Sequence, residues 1–341
     1  MKIALIIPAH NGLDDLKCCM AAISASSRQA DELILVDDGS KPNTLQALSK
    51  KYNFKYIAIT DGPRGPGHAR NIGVKQCSAD IVIFIDSDVV VAIDTVERVE
   101  RQFLQPNHID ALFGSYDTTP SVKTVVSRYK NLLHHFVHQN GHSEASTFWA
   151  GCGAVRRDVF ESVGGFNEAF QKPSIEDIDF GLRMSEAGFK IKLCPEIQVK
   201  HLKHWTLASV IKTDIFSRAI PWTTLIVNNR RKIGDDLNTK LQHRVSALVT
   251  LLLILSAFMI LLGHSIHLVF MALLSIYIFI DRRLFSFFYR IGGLKLAIGG
   301  ACMHLLYYAY SSITFVAVSL TIGFKRLISS LTQHSQTPEG R

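Results

Sequence analysis

Five short apolar runs, each closed by turn-forming or acidic residues, recur through the first third of the chain: KIALIIP, ELILVDDGS, FKYIAIT, DIVIFIDSD and IDALFGS. Between them, over residues 13–26, 44–52, 68–77 and 95–104, apolar residues return at helical spacing. Short runs rich in Ile, Val and Phe suit strands buried on both faces, and a period near 3.6 suits helices. Such alternation restricts the chain to an α/β fold, a mostly parallel twisted sheet with helices on both faces. Ligands of these sheets bind outside the carboxyl ends of the strands. Pro8, the pair Asp37 and Asp38, and the pair Asp86 and Asp88 all fall at strand ends, so one cleft is expected to gather them.

The composition changes after about residue 244. Residues 245–263, 266–280 and 296–324 contain no Asp, Glu, Lys or Arg. A bilayer crossing takes about 20 apolar residues, which predicts a multi-pass membrane region with two or three spans over 245–326. Arg230, Arg231, Lys232, Lys240 and Arg244 precede the first run, and Arg282, Arg283, Arg290 and Lys295 separate the second from the third. The positive-inside rule assigns both basic segments to the cytoplasm, and with them the N-terminal domain. Lys325 and Arg326 conflict with a simple crossing by the third run, leaving a tilted, re-entrant or folded-back helix as alternatives. Residues 206–244 mix apolar side chains with Lys212, Asp214 and Arg218 and are broken by Pro221, as expected of interfacial helices and a basic linker. Residues 327–341 read as a tail, unstructured from Gln333 onward. The net charge of +8 sits largely beside the spans, so membrane lipid, and not nucleic acid, is the expected partner. Six cysteines without a CxxC spacing read as reduced thiols.

Two carboxylates two residues apart on an extended chain point to one side, so Asp86 and Asp88 can approach one divalent cation. A solvated strand end with an Asp-capped turn explains an isolated DxD as well. Residues 64–73, RGPGHARNIG, open a helix with a GxG pattern. They follow the third strand and lack the last glycine of a dinucleotide fingerprint, which argues against a nicotinamide-dependent oxidoreductase. Arg70 and Asn71 are expected on the first turn of that helix, where a guanidinium can pair with a diphosphate or a carboxylate. Residues 121–139 form an amphipathic helix, with His134, His135 and His138 expected on its polar face. In SIEDIDFGLR, residues 174–183, Ser174 with Asp177 three positions on fits a capping box. Acids in a first helical turn also suit the helix dipole, and Asp179 can pair with Arg183 at i+4.

Taken together, IIPAHNG, ELILVDDGS, GPGHARNIGV, IVIFIDSD, FWAGCGAVRRDVFESVGGFNEAF, SIEDIDFGLRMSEAG and HLKHW, in this order, resemble the inverting family 2 glycosyltransferases of GT-A fold. The resemblance covers roughly residues 1–205. It implies a nucleotide sugar donor, expected to be UDP-linked, with base and ribose held by Pro8, Asp37 and Asp38. Arg70, Asn71 and Asp86 would also lie on the donor. It implies Mg²⁺ or Mn²⁺ at Asp86 and Asp88, with Asp88 the direct ligand, and His201 completing the site as in some relatives. Asp177 would be the catalytic base with Glu176 beside it, and Trp149, Gly151 and Cys152 would shape the acceptor side. Inverting transfer to a neutral hydroxyl needs a carboxylate to take its proton. An ionised lipid phosphate needs none, so the base favours a lipid-linked or membrane-proximal hydroxyl acceptor over a polyprenyl phosphate. A non-catalytic nucleotide-sugar-binding membrane protein is the alternative of a different class, against which the intact carboxylates count.

Overall fold

Each of the five apolar runs becomes a strand. The first three give β1 (Ile3–Ala9), β2 (Glu32–Asp37) and β3 (Lys55–Ala58). DIVIFIDSD gives β4 (Ile81–Ile85), with β5 (Val89–Val91) just beyond it, and IDALFGS gives β6 (Ala111–Tyr116). Three further strands, β7 (Glu144–Ala145), β8 (Cys152–Arg156) and β9 (Ile191–His201), complete the sheet. The intervening helices are α1 (Leu13–Ser24), α2 (Thr44–Lys51), α3 (Pro66–Lys75), α4 (Thr95–Phe103), α5 (Val125–Gln139), α6 (Arg157–Ser162) and α7 (Glu176–Glu186). The computed structural model describes residues 1–41, 44–229 and 241–334. Its contacts divide the chain into two units, the first ending at Thr206 and the second beginning at Leu207.

In the first unit the sheet order is β3-β2-β1-β4-β8-β6-β9-β5, with β7 paired to β9. The sheet is parallel from β3 to β4, as βαβ alternation requires, and mixed beyond, where β8 runs antiparallel to both β4 and β6. β1 and β4, at its centre, are buried along their whole length. Pro8 stands past the last β1–β4 pair, Ile6 with Phe84, so its missing N–H costs no ladder bond on that side. Gly73 lets α3 lie close on β1: a Cβ there would sit 2.5 Å from Ile6 Cγ2.

The second unit is helical: α8 (Leu207–Lys212), a π-helical stretch (Thr213–Ala219), α9 (Ile220–Asn229), α10 (Leu241–Leu261), α11 (His267–Ile280) and α12 (Arg282–His334). Pro221 does not break the helical path. The wide π turns come just before it, where a proline ring would otherwise collide with the carbonyl four residues back. Buried Asp214, within those turns, accepts a 2.7 Å hydrogen bond from Tyr310 Oη. Asp281, between α11 and α12, is likewise buried and accepts from Ser246 Oγ at 3.1 Å and Gln242 Nε2 at 3.3 Å.

By length and apolar composition two helices can cross a membrane, Leu241–Leu261 and Arg282–Ser329, while His267–Ile280 is shorter. The third apolar run does not stop at Phe324. After a break at Gly292 and Gly293, α12 continues through Lys325 and Arg326, and Arg326 Nη2 donates to Val227 O at 3.0 Å and Asn228 Oδ1 at 3.1 Å. Gln333 therefore belongs to a helix, and the rest of the expected tail, 335–341, lies outside the described residues, as do Arg230, Arg231, Lys232 and Lys240.

Candidate active site

The β4–β8 register pairs Ile85 with Cys152, which brings Gly151 O to accept from Asp86 N at 3.2 Å. The carboxyl end of the central strand thereby meets the loop of Trp149 and Gly151. A side chain at Gly151 would meet the Trp149 ring at 2.5 Å, so glycine is what allows the indole to fold over it. From the opposite side, buried Arg70 of α3 reaches across with Nη2 2.7 Å from Asp86 Oδ1 and Nη1 3.1 Å from Glu176 Oε1. Its guanidinium also lies over the Phe166 ring at 5.3 Å. Arg70 and Asn71 are in the second turn of α3, not the first, because the helix starts at Pro66 after Gly65 at φ +98°.

Asp177 stands beside Glu176 in the first turn of α7, partly buried, with Oδ2 3.3 Å from Ala150 N. Burial, and then the charge of Glu176, push its carboxyl up to about 7, against the pull of Arg70 and the Ala150 N–H. Its proton affinity thus lies near neutrality, where a carboxylate can both be free of its proton and accept one. Ser174 is not the expected cap. The residue before the helix is Ile175, and Ser174 N donates to Glu176 Oε2 at 2.9 Å, so Glu176 folds back on the turn while gripping Arg70. Asp179 pairs with Arg183 at 2.9 Å.

Asp86 and Asp88 do not project from an extended strand. β4 ends at Ile85, the DSD residues form a turn, and the two carboxylates take different partners. Burial raises the pKa of Asp86, with Arg70 opposing. Asp88 faces His201 Nε2 at 3.5 Å because β5 pairs with β9 in a register that sets Val89 opposite His201. Burial works against its charge, yet the His201 ring and Lys203 outweigh that and lower its pKa. Among the described residues no group of three or more His, Cys, Asp or Glu side chains is placed to hold a metal ion. Asp88 and His201, 3.5 Å apart, are close enough to share one divalent cation such as Mg²⁺ or Mn²⁺, whose other positions would be left to substrate phosphate and water.

The other predicted donor residues sit on the parallel half. Asp37 accepts from Ser40 N at 2.9 Å and Tyr56 Oη at 2.7 Å; Asp38 accepts from Arg64 N at 2.7 Å and Gly65 N at 2.8 Å. Both carboxylates are buried and bind the loops after β2 and β3 together. Asn71 is spent on a different task. Its amide bonds Phe166 O, Phe166 N and Glu168 Oε1, each at 2.9 Å, fixing the loop that leads to α7. The histidine helix also differs from expectation: His135 and His138 are buried, donating to Tyr116 O at 2.7 Å and Gly114 O at 2.9 Å. Tyr56, Glu168, Tyr116 and Asn131 were not singled out from sequence; only Tyr116 of these four ends a strand, just past the IDALFGS run, and it carries no acidic or glycine signal.

The family model described as glycosyl transferase family 2 matches residues 4–164, and one described as the N-terminal domain of galactosyltransferase matches residues 130–205. An O-antigen chain rhamnosyltransferase of Salmonella typhimurium is 28% identical over 236 residues, 65% of this chain and 74% of that protein. A poly(ribitol-phosphate) β-N-acetylglucosaminyltransferase of Staphylococcus aureus is 29% identical over 117 residues, 33% of this chain and only 20% of that one. Among solved structures, a mannosyltransferase of Pyrobaculum calidifontis in complex with GDP-Man and Mn²⁺ superposes with a TM-score of 0.59 at 16% identity. That match covers 94% of this chain and 87% of the other, and it supports the fold alone. Family model, curated relatives and fold agree with the motifs over the same residues: residues 4–164 match glycosyl transferase family 2, and the chain is a glycosyltransferase whose N-terminal unit has the GT-A fold.

Proposed function

We propose that the chain is a membrane-attached inverting glycosyltransferase that moves a sugar from a nucleoside diphosphate to a hydroxyl of a lipid-linked or membrane-proximal acceptor. The observation that carries this reading is Asp177: a carboxyl with its proton affinity raised to about 7, on a helix start fixed by Arg70 and Glu176. Ala150 N–H orients one oxygen of Asp177, and the carboxylate takes the acceptor proton as the hydroxyl attacks the anomeric carbon. Arg70 joins Asp86 to Glu176, so the donor side and the base side of the cleft share one cation. Asp37 and Asp38 shape the two loops that receive base and ribose. Asp88 and His201, with Asp86 adjacent, would hold Mg²⁺ or Mn²⁺, which supplies neutralising charge to the departing diphosphate. The apolar helices of the second unit support anchorage next to membrane lipid, with the first unit on the cytoplasmic side where nucleotide sugars are found. The O-antigen and poly(ribitol-phosphate) relatives support a cell-envelope polysaccharide or glycolipid as the product class.

The test is Asp177→Asn, which keeps the hydrogen-bonding shape and removes the base. Transfer should fall by about 10²–10⁴-fold, the usual weight of general base catalysis, while donor binding by calorimetry is retained. Near-normal turnover by the variant would mean an acceptor that is already ionised, such as a polyprenyl phosphate, and would end the hydroxyl reading.

A further inference from the structure

We infer that Asn131 is a positioning residue for the metal-binding step, setting His201 in the tautomer that can ligate a divalent cation; the inference rests on the metal-dependent reading above. Asn131 lies on α5 and is buried, with Oδ1 2.6 Å from His201 Nδ1. An amide oxygen only accepts, so at that distance Nδ1 must carry the hydrogen. When a cation displaces any proton on Nε2, the ring keeps its Nδ1–H and turns the Nε2 lone pair to the side that faces Asp88 at 3.5 Å.

Two constraints hold the ring. Tyr116, at the end of β6, stacks on His201 with centroids 4.4 Å apart and planes 13° from parallel. Stacking fixes the plane of the imidazole but leaves it free to turn within that plane. The Asn131 bond removes that freedom and aims Nε2 at Asp88. The 3.5 Å separation is long for a hydrogen bond, and it is short enough for both atoms to touch one cation.

The amide type matters. Asn131 Nδ2 is buried without a hydrogen-bond partner among the described residues. Were the amide reversed, Nδ2 would donate to Nδ1, the hydrogen would move to Nε2, and the ring would present a donor to Asp88 in place of a ligand. An aspartate would also accept from Nδ1, so the function of position 131 is an acceptor oxygen at this point. Outer-shell partners of this kind typically change metal affinity by about 10–100-fold when removed.

The experiment titrates Mn²⁺ into the full chain in detergent, with and without UDP, following free Mn²⁺ by electron paramagnetic resonance. Asn131→Leu is expected to weaken Mn²⁺ binding about 10–100-fold, and Asn131→Asp to stay within about threefold of the parent. If Asp88→Ala and His201→Ala lose Mn²⁺ while folded Asn131→Leu binds it like the parent, this inference is wrong and the metal site stands. If the parent chain binds no Mn²⁺, the metal-dependent reading itself fails and takes this one with it. Should Asn131→Leu not fold, ¹⁵N-histidine spectra of the unsubstituted chain decide the matter, with His201 assigned by its loss in His201→Gln. With Mg²⁺ bound, a protonated Nδ1 and an Nε2 without hydrogen are expected, and a ring with bare Nδ1 overturns the inference.

Discussion

Asp177 shows most directly what a buried carboxyl costs the fold. Its native carboxyl binds a proton more tightly than the unfolded chain does, with affinity raised from 3.8 to about 7 by burial and then by Glu176. Between those pH values the native state holds more protons, so its stability falls as pH rises. Asp177→Asn removes that cost. Above pH 7 the variant is expected to be more stable than the parent by on the order of 1 kcal/mol, about 2–4 °C in Tm for a domain of this size. Near pH 4 the difference should vanish, because both side chains are then neutral. Thermal melts at pH 4.5 and 8 check this, and a variant less stable at pH 8 would refute it. Paired with the loss of transfer, the gain would mark Asp177 as a residue kept for chemistry.

At the scale of elements, legibility depended on whether a segment's partner was local. The first strands were legible because an apolar run closed by turn residues needs no partner to be recognised. β9 was not, since IKLCPEIQVKH mixes charges and a proline into a strand that several neighbours pair with at once. The histidines of α5 looked like a polar face because periodicity reports which residues share a side, not what that side meets. β6 is irregular between Phe113 and Ser115, and the carbonyls of Gly114 and Tyr116 accept from His138 and His135, which is why a polar stripe is buried. The DSD pair was found, but its extended geometry was not, because the turn is set by β5 pairing with a strand more than a hundred residues away. Ser174 fitted a local pattern that lost to a long-range one, Glu176 with Arg70. The α3–β1 contact offers a test at this scale. Gly73→Val places atoms against Ile6 and Val36, the nearest only 2.5 Å from a new Cβ, and should cost about 1–3 kcal/mol by overpacking. A lowered unfolding midpoint is expected. Unchanged stability would mean that α3 can slide on the sheet.

For the whole molecule, the expected outcome concerns the division after Thr206. The full chain should stay in the membrane fraction through an alkaline carbonate wash, and residues 1–206 expressed alone should appear in the soluble fraction with a cooperative melt. Release of the full chain by carbonate would exclude a spanning second unit. Within the first unit, β4 is a seam: its neighbour β1 is parallel and continues to the loops of Asp37 and Asp38, while its neighbour β8 is antiparallel and leads to Trp149 and the start of α7. Only the turn at Asp86, bridged by Arg70, belongs to both sides. On the proposed reading, base and ribose are met by loops before residue 86 and the acceptor by segments after residue 115, while the Asp88–His201 pair on the diphosphate draws from the turn and from those later segments. On that reading, exchanging the later segments while keeping His201 is expected to change the acceptor and leave the nucleotide base unchanged, so the seam would be a natural point of exchange.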